Sequence, residues 1–306
     1  MQGTRWRWIA ILALALGVLV ASGCGDDEDE GGGGSAATAT TPAEKRTFAA
    51  GTTMAKLQEA GEITIGVKFE VAPFGFKNVQ TGEVEGFDID VAKAIAADLG
   101  AKPKFIEALS DNRIPFLKDG TADLILSTMT INAERDEEID FSEPYFIARG
   151  RILVKKSDNS ITSVANLDGK RVCTALGSTY EATLKKQAPK AKTTLVDGYS
   201  ECLEAIQNGS VDAVSTDDVI LTGMIIQDDS LQLVGEELTQ EPYGAGIKKG
   251  NTQLLDFVNQ TFEEYKADGR YDATFEKWVG KYTGQKAEAP TISVEEAVDL
   301  VKQNAG

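Results

Sequence analysis

Ile63-Thr64-Ile65-Gly66-Val67-Lys68-Phe69 and, shortly after it, Gly86-Phe87-Asp88-Ile89-Asp90-Val91-Ala92 decide the fold. In the first stretch Ile63, Ile65 and Val67 alternate with small or polar residues, the period of a strand with one apolar face. In the second, Asp88 offers an N-cap to a helix whose Val91, Ile95 and Leu99 recur every four residues, and Gly100 stops it. The pattern continues outward: 104–107 reads as strand, 112–118 as a short helix ended by Gly120, and 122–126 as a buried strand. Further on, 171–175 reads as strand, 178–187 and 200–208 as helices, and 211–215 as strand. Strand and helix in alternation predict an α/β protein with largely parallel sheets.

Two strand-like stretches, 147–155 and 244–248, bracket the middle third of the chain and read as paired crossovers between two lobes. After them come two helices. Leu254, Leu255, Val258, Phe262 and Tyr265 line one, and Tyr271, Phe275 and Trp278 line the other. A last segment, 293–303, reads as a separate short helix.

The 306 residues suffice for two modest domains, each with its own core. A formal charge of −17 makes nucleic acid a poor partner, because its phosphates would be repelled. The chain has no histidine, which removes Ser–His and Cys–His catalysis and the usual histidine metal sites. No catalytic residue, metal or cofactor is expected, and the chain is expected to be a monomer.

At the N-terminus Arg5, Trp6, Arg7 and Trp8 precede an apolar run from Ile9 to Val20, then Ala21-Ser22-Gly23-Cys24. Basic head, short apolar core and small residues make a secretory signal peptide over 1–23. The run is too short to span a bilayer, which takes roughly 20 apolar residues. With a cysteine directly after the small residues, the stretch resembles the lipobox of a bacterial lipoprotein, which implies lipid on Cys24 and an extracytoplasmic protein anchored to the cell membrane. Residues 24–47, with Asp26 to Glu30 followed by glycines and an Ala/Thr run, read as a tether with nothing to bury. Of the three cysteines, Cys173 and Cys202 remain. In an oxidising compartment they most simply form a disulfide, two buried thiols being the alternative.

Four phrases, in order, resemble the polar amino-acid family (family 3) of extracytoplasmic solute-binding proteins, the receptors of ABC importers. The first joins the opening stretch to Ala72-Pro73-Phe74 and Gly86–Ala92. The second runs from Ala122-Asp123 through Ser127-Thr128-Met129-Thr130 to Glu134-Arg135 and Asp140-Phe141-Ser142. The third is Leu167-Asp168-Gly169-Lys170-Arg171-Val172 with Gly177-Ser178-Thr179, and the fourth Gly209-Ser210-Val211-Asp212-Ala213-Val214 with Asp217. The resemblance implies a two-lobed periplasmic-binding-protein fold (type II), with two hinge strands and the ligand cleft between the lobes. On it, 48–147 with 243–284 form lobe 1, 153–238 form lobe 2, and 285–306 are a C-terminal extension.

Positions that match Thr128, Thr130, Arg135, Thr179 and Asp217 hold the ligand's amino-acid backbone in the family. The chemistry agrees. Arg135 carries a fork of donors suited to a carboxylate. Ser178 opens a helix, with Ser178-x-x-Glu181 in capping-box spacing, so that Thr179 N–H can take the same carboxylate. Asp217, after a strand, can meet the ammonium. Phe74 and Ser110 complete the set. Binders of basic amino acids in this family carry Asp where this chain has Lys68. Binders of acidic ones resemble it better, with a cation there and an Asn-Arg-Ile-Pro phrase, here Asn112-Arg113-Ile114-Pro115. Lys68, Arg113 and Arg135 in one cleft would need an anion to offset them. L-glutamate is therefore the expected ligand, L-aspartate second, with glutamine open because an amide also accepts from Lys or Arg. An ABC permease is the expected partner. Rival readings are an enzyme on the same fold, as in cyclohexadienyl dehydratases, and a sensor rather than a transport receptor.

Overall fold

The computed structural model describes residues 46–304. The expected signal peptide, Cys24 and most of the expected tether lie outside the described residues. β1 (Glu62–Val67) runs parallel to β5 (Lys102–Glu107) on one side and β6 (Leu124–Ile125) on the other. β14 (Gly246–Lys248) and β7 (Ile139–Phe141) complete a five-stranded sheet in the order β5-β1-β6-β14-β7, with β14 antiparallel to both neighbours. Ile63, Ile65 and Val67 are fully buried, as the alternation requires. A small antiparallel sheet, β2 (Glu70–Val71), β3 (Gly75–Lys77) and β4 (Val84–Glu85), sits beside it.

α2 (Phe87–Leu99) buries Ile89, Val91, Ile95 and Leu99 against this lobe. Its N-cap is Gly86, at φ 137°, and not Asp88. A Cβ on Gly86 would lie 2.1 Å from the Phe74 carbonyl, so only glycine lets the chain enter the helix here. Asp88 instead turns inward, where Oδ2 accepts from Thr128 N at 2.9 Å and Oδ1 from the Tyr145 hydroxyl at 2.9 Å. α1 (Thr53–Ala60), α8 (Thr252–Ala267) and α9 (Arg270–Phe275) pack around α2. A π-turn over Glu276–Gly280 then leads to α10 (Lys281–Thr283). α3 (Arg113–Asp119) and α4 (Ala133–Glu138) complete the lobe.

The second sheet places β10 (Lys192–Val196), β9 (Arg171–Ala175) and β11 (Ala213–Asp217) in parallel, followed by β8 (Phe146–Lys155) and β12 (Leu231–Val234) as antiparallel members. α5 (Thr179–Gln187), α6 (Tyr199–Gln207) and α7 (Asp218–Gln227) cover it. β8 is the first crossover: its start pairs with β13 (Gln240–Tyr243) and its end with β11 and β12. The second crossover is β13, not the 244–248 stretch. By Gly246 the chain is already inside the first sheet as β14. Gly244 and Gly246 make that possible, since a Cβ on either would press on Ile131, Leu117 or Ile139. Where the two crossovers leave the first lobe, Phe74, Phe146 and Tyr243 meet, with Phe74 and Phe146 at a 4.9 Å centroid separation.

Cys173 of β9 and Cys202 of α6 form a disulfide with Cα atoms 5.6 Å apart, both fully buried. By closing a 29-residue separation it restricts the unfolded chain by roughly 3 kcal/mol in the chain-entropy account. It also fixes the start of α6 on the sheet. The C-terminal segment forms α11 (Val294–Asn304), opened by a capping box in which Ser293 Oγ accepts from Glu296 N and Glu296 Oε2 from Ser293 N. Ala297 and Val298 insert into the apolar cluster of Leu117, Ile125 and Ile139. Among the described residues no helix is long and apolar enough to cross a membrane.

Candidate functional site

A small cavity lies where the ends of the two sheets face one another. The first lobe lines it with Ser110, Arg113, Thr128, Thr130 and Arg135. The segment that follows β6 carries the two threonines. Thr128 has φ 44°, a left-handed conformation unusual for a β-branched residue and costing on the order of 1–3 kcal/mol. It is held there from both ends: its N–H donates to Asp88, and its carbonyl accepts from Arg113 Nη1 at 3.1 Å. Asp88 is therefore a support of the site, and burial raises its carboxyl to about 7.

Arg113, at the start of α3, is 2% exposed. It donates through Nε to Ser110 O at 3.0 Å and through Nη1 to Ser127 O at 2.8 Å as well as to Thr128 O. Burial, and then Arg135 nearby, lower it to about 9, so it stays charged at neutral pH. It does not pair with Asp111. Lys68, at the end of β1, is fully buried and does not point to solvent. Its Nζ donates to Ser110 Oγ at 2.9 Å and lies 6.0 Å from the Tyr199 ring centroid. It stands behind Ser110 rather than on the cavity wall. Burial and Arg113 lower it to about 7.

Arg135 lies in α4, whose cap Asn132 accepts the Arg135 N–H at 2.9 Å. Nη1 donates to Thr130 O at 2.8 Å and Nη2 to Gly177 O at 3.0 Å, the latter across the cleft. A Cβ on Gly177 would lie 2.6 Å from the Asp111 Cα, so glycine is what lets the lobes approach here.

From the second lobe come Ser178, Thr179, Tyr180, Tyr199, Asp217 and Ile220. Ser178 is the N-cap of α5, but its side chain makes no cap hydrogen bond. Its Oγ is 3.3 Å from Thr174 Oγ1, and Glu181 is exposed, so the capping box does not form. Thr179 Oγ1 donates to Glu241 Oε2 at 3.0 Å. Asp217 is the last residue of β11, two positions beyond the strand end expected, and accepts from the Tyr180 hydroxyl at 2.7 Å. Burial first, then the Glu241 carboxylate, raise its carboxyl to about 8.

Phe74 is not brought to the cavity. Its ring is fully buried among Phe87, Phe146 and Tyr243, in the aromatic core at the crossovers. Conversely, Tyr180, Tyr199 and Ile220 line the cavity without having been singled out. Tyr180 and Tyr199 lie in or beside helices read from the sequence, but periodicity does not tell which ring turns to the cleft, and Ile220 lies in α7, which was not read as a helix. A wider groove of about 880 Å³ adjoins the cavity, sharing Arg135, Ser178 and Thr179 and reaching Val301 of α11. Among the described residues no group of three or more Cys, Asp or Glu is placed to hold a metal ion. Cationic donors on one wall and a carboxylate on the other suit a small zwitterion.

Residues 63–281 match the profile of bacterial extracellular solute-binding proteins, family 3. The glutamine-binding protein GlnH of an ABC transporter from Bacillus subtilis is 42% identical over 74% of this chain and 84% of its own. The glutamate-binding protein GluB of Corynebacterium efficiens is 34% identical over 70% of this chain and 77% of its own. Among solved structures, an ancestral arginine-binding protein bound to glutamine is 43% identical with a TM-score of 0.69, over 72% of this chain and 98% of the other. Two lobes with a cleft between them are the architecture common to these neighbours.

Proposed function

The chain belongs to the bacterial extracellular solute-binding proteins, family 3, and from that membership we propose that it captures L-glutamine outside the cytoplasm and presents it to an ABC permease. It is a solute-binding protein of an amino-acid ABC transporter, and its relatives are transport receptors rather than enzymes. In this reading Arg135, with Thr128, Thr130 and the start of α5, takes the ligand carboxylate, and Asp217 takes the ammonium. Ser110 and Arg113 meet the side chain.

The observation that carries glutamine over glutamate is how the cations near the side-chain end are already compensated. Arg113 donates to three backbone carbonyls, and Lys68 is bonded to Ser110. Both share the interior with Asp88, and Glu70 acts on Lys68 as well. A balanced set of buried charges suits a neutral amide, and an added carboxylate would upset it. The glutamine-binding relatives favour the same choice. L-glutamate is the second reading, supported by the glutamate-binding relatives and by Lys68 and Arg113 still standing at that end.

Titration calorimetry at pH 8 and pH 6 with L-glutamine, L-glutamate, L-aspartate and L-lysine tests this. L-glutamine is expected to bind tightest at pH 8. Asp217 must be ionised to hold an ammonium, so below its value of about 8 a proton has to be displaced. Affinity for every amino acid should therefore fall with pH, by up to about tenfold per unit. Lys68 gains its charge as pH falls through about 7, so the glutamate-to-glutamine affinity ratio should rise several-fold toward pH 6. Glutamate tighter than glutamine at pH 8 would move the second reading to the front, and silence for all four would end both.

A lipid anchor at Cys24 belongs to the same proposal, because it would hold the receptor beside its permease. The intact mass of the membrane-extracted protein should start at Cys24 and exceed the polypeptide mass by its acyl chains. Cys24→Ser should lose both features, and an unchanged mass in that variant would end the anchor reading.

A further inference from the structure

One cross-cleft contact lies away from the ligand groups. Glu70 of β2 belongs to the first lobe, yet its Oε2 accepts from Ser200 N at 2.7 Å, in the opening turn of α6 in the second. Its Oε1 is buried with no hydrogen-bond partner. A Cβ on Gly198 would lie 3.5 Å from the Glu70 carboxylate carbon, which shows how closely the carboxylate is seated. The amides that open a helix have no intrahelical acceptor and carry its positive end, so a carboxylate is their natural partner. The disulfide holds α6 to β9, so the receiving turn is fixed. Tyr199 and Ile220 border both this seam and the ligand cavity. The movement that brings them toward a ligand is therefore the movement that seats Glu70.

We infer that Glu70 is the latch of the closed cleft, a first-lobe carboxylate that docks on the first turn of α6 and slows ligand release. The contact exists only when the lobes meet, so it acts after capture. It rests on the cavity being the amino-acid site and not on which amino acid fills it. Glu70 touches none of the groups assigned to the ligand backbone, which makes it a positioning residue.

Stopped-flow kinetics on the full-length protein, with L-glutamine as probe, test the latch in Glu70→Gln, Glu70→Ala and Glu70→Lys. Release should quicken in that order, on the order of tenfold for Glu70→Ala and more for Glu70→Lys, whose cation opposes the helix end, while the association rate stays as in the wild type. Unchanged release overturns the latch. So does an altered association rate or glutamate-to-glutamine ratio without faster release, because Glu70 would then act only as the counter-charge of Lys68. Amide hydrogen exchange at Tyr199 and Ser200, measured with saturating amino acid so that the lobes are together, gives a second readout. Faster exchange in Glu70→Ala is expected, and unchanged exchange counts against the latch. If the wild type does not bind L-glutamine, the ligand assignment fails, and the same release and exchange experiments with whichever amino acid does bind decide the latch.

Discussion

Arg135→Ala is expected to abolish measurable binding of every amino acid, not of glutamine alone. Arg135 is 8% exposed and ties Thr130 O on its own lobe to Gly177 O on the other. The proposed ligand carboxylate would meet the same guanidinium. Removing the cation leaves a buried carboxylate without its partner, a loss of about 3–5 kcal/mol, or about a hundredfold to several thousandfold in affinity. Arg135→Lys keeps the charge but not the fork, and should recover only part of it. Calorimetric titration measures both, with thermal unfolding as the check that each variant is folded. Wild-type affinity in Arg135→Ala would shift the carboxylate to Arg113, the other buried guanidinium on the cavity wall.

Gly223→Ala should separate folding from binding. Gly223 lies inside α7, where alanine is the better helix former by about 0.5–1 kcal/mol, so the second lobe on its own should become slightly more stable. In the closed cleft, however, a Cβ there would sit 1.7 Å from the Ala72 carbonyl of the first lobe. Backbone meets backbone at that point, and no rotamer change relieves it. If the proposed receptor closes its lobes on the ligand, the conformation seen here is penalised and one with the lobes apart is not, so apparent affinity falls by the lost population of the former. Roughly a hundredfold weaker binding is expected, about 2.7 kcal/mol, with thermal stability of the unliganded protein unchanged or raised. Unchanged affinity would mean that ligand binding does not need the Ala72–Gly223 approach. A fall in stability instead would make Gly223 a packing residue of its own lobe.

The α/β class, the buried face of β1, the apolar faces of α2 and α8 and the C-terminal helix were legible in the chain itself, and the elements that were read have ends within about two residues of those observed, whereas short elements such as β2, β3, β4, β7 and β13 and the helices α4 and α7 were not read. So was the set of polar residues that the structure brings to the cleft: Ser110, Arg113, Thr128, Thr130, Arg135, Ser178, Thr179 and Asp217. Those readings rest on periodicity, on glycine stops and on phrases whose order and spacing are linear properties of the chain.

What only the tertiary structure decided concerns partners distant in sequence. Asp88 looks like a cap, but it reaches Thr128, 40 positions on, and Glu70 reaches Ser200, 130 positions on. Phe74 was claimed by an aromatic core assembled from three separate segments, and the second crossover moved from 244–248 to β13 because glycines admit β14 into the first sheet. Three cations counted along the sequence called for an outside anion. Folded, Lys68, Arg113 and Arg135 find backbone carbonyls, a serine hydroxyl and nearby buried carboxylates. Spacing along a chain records which side chains share a face, because the backbone repeats. Which charge offsets which depends on desolvation and on contacts between elements, and neither is written in the local pattern.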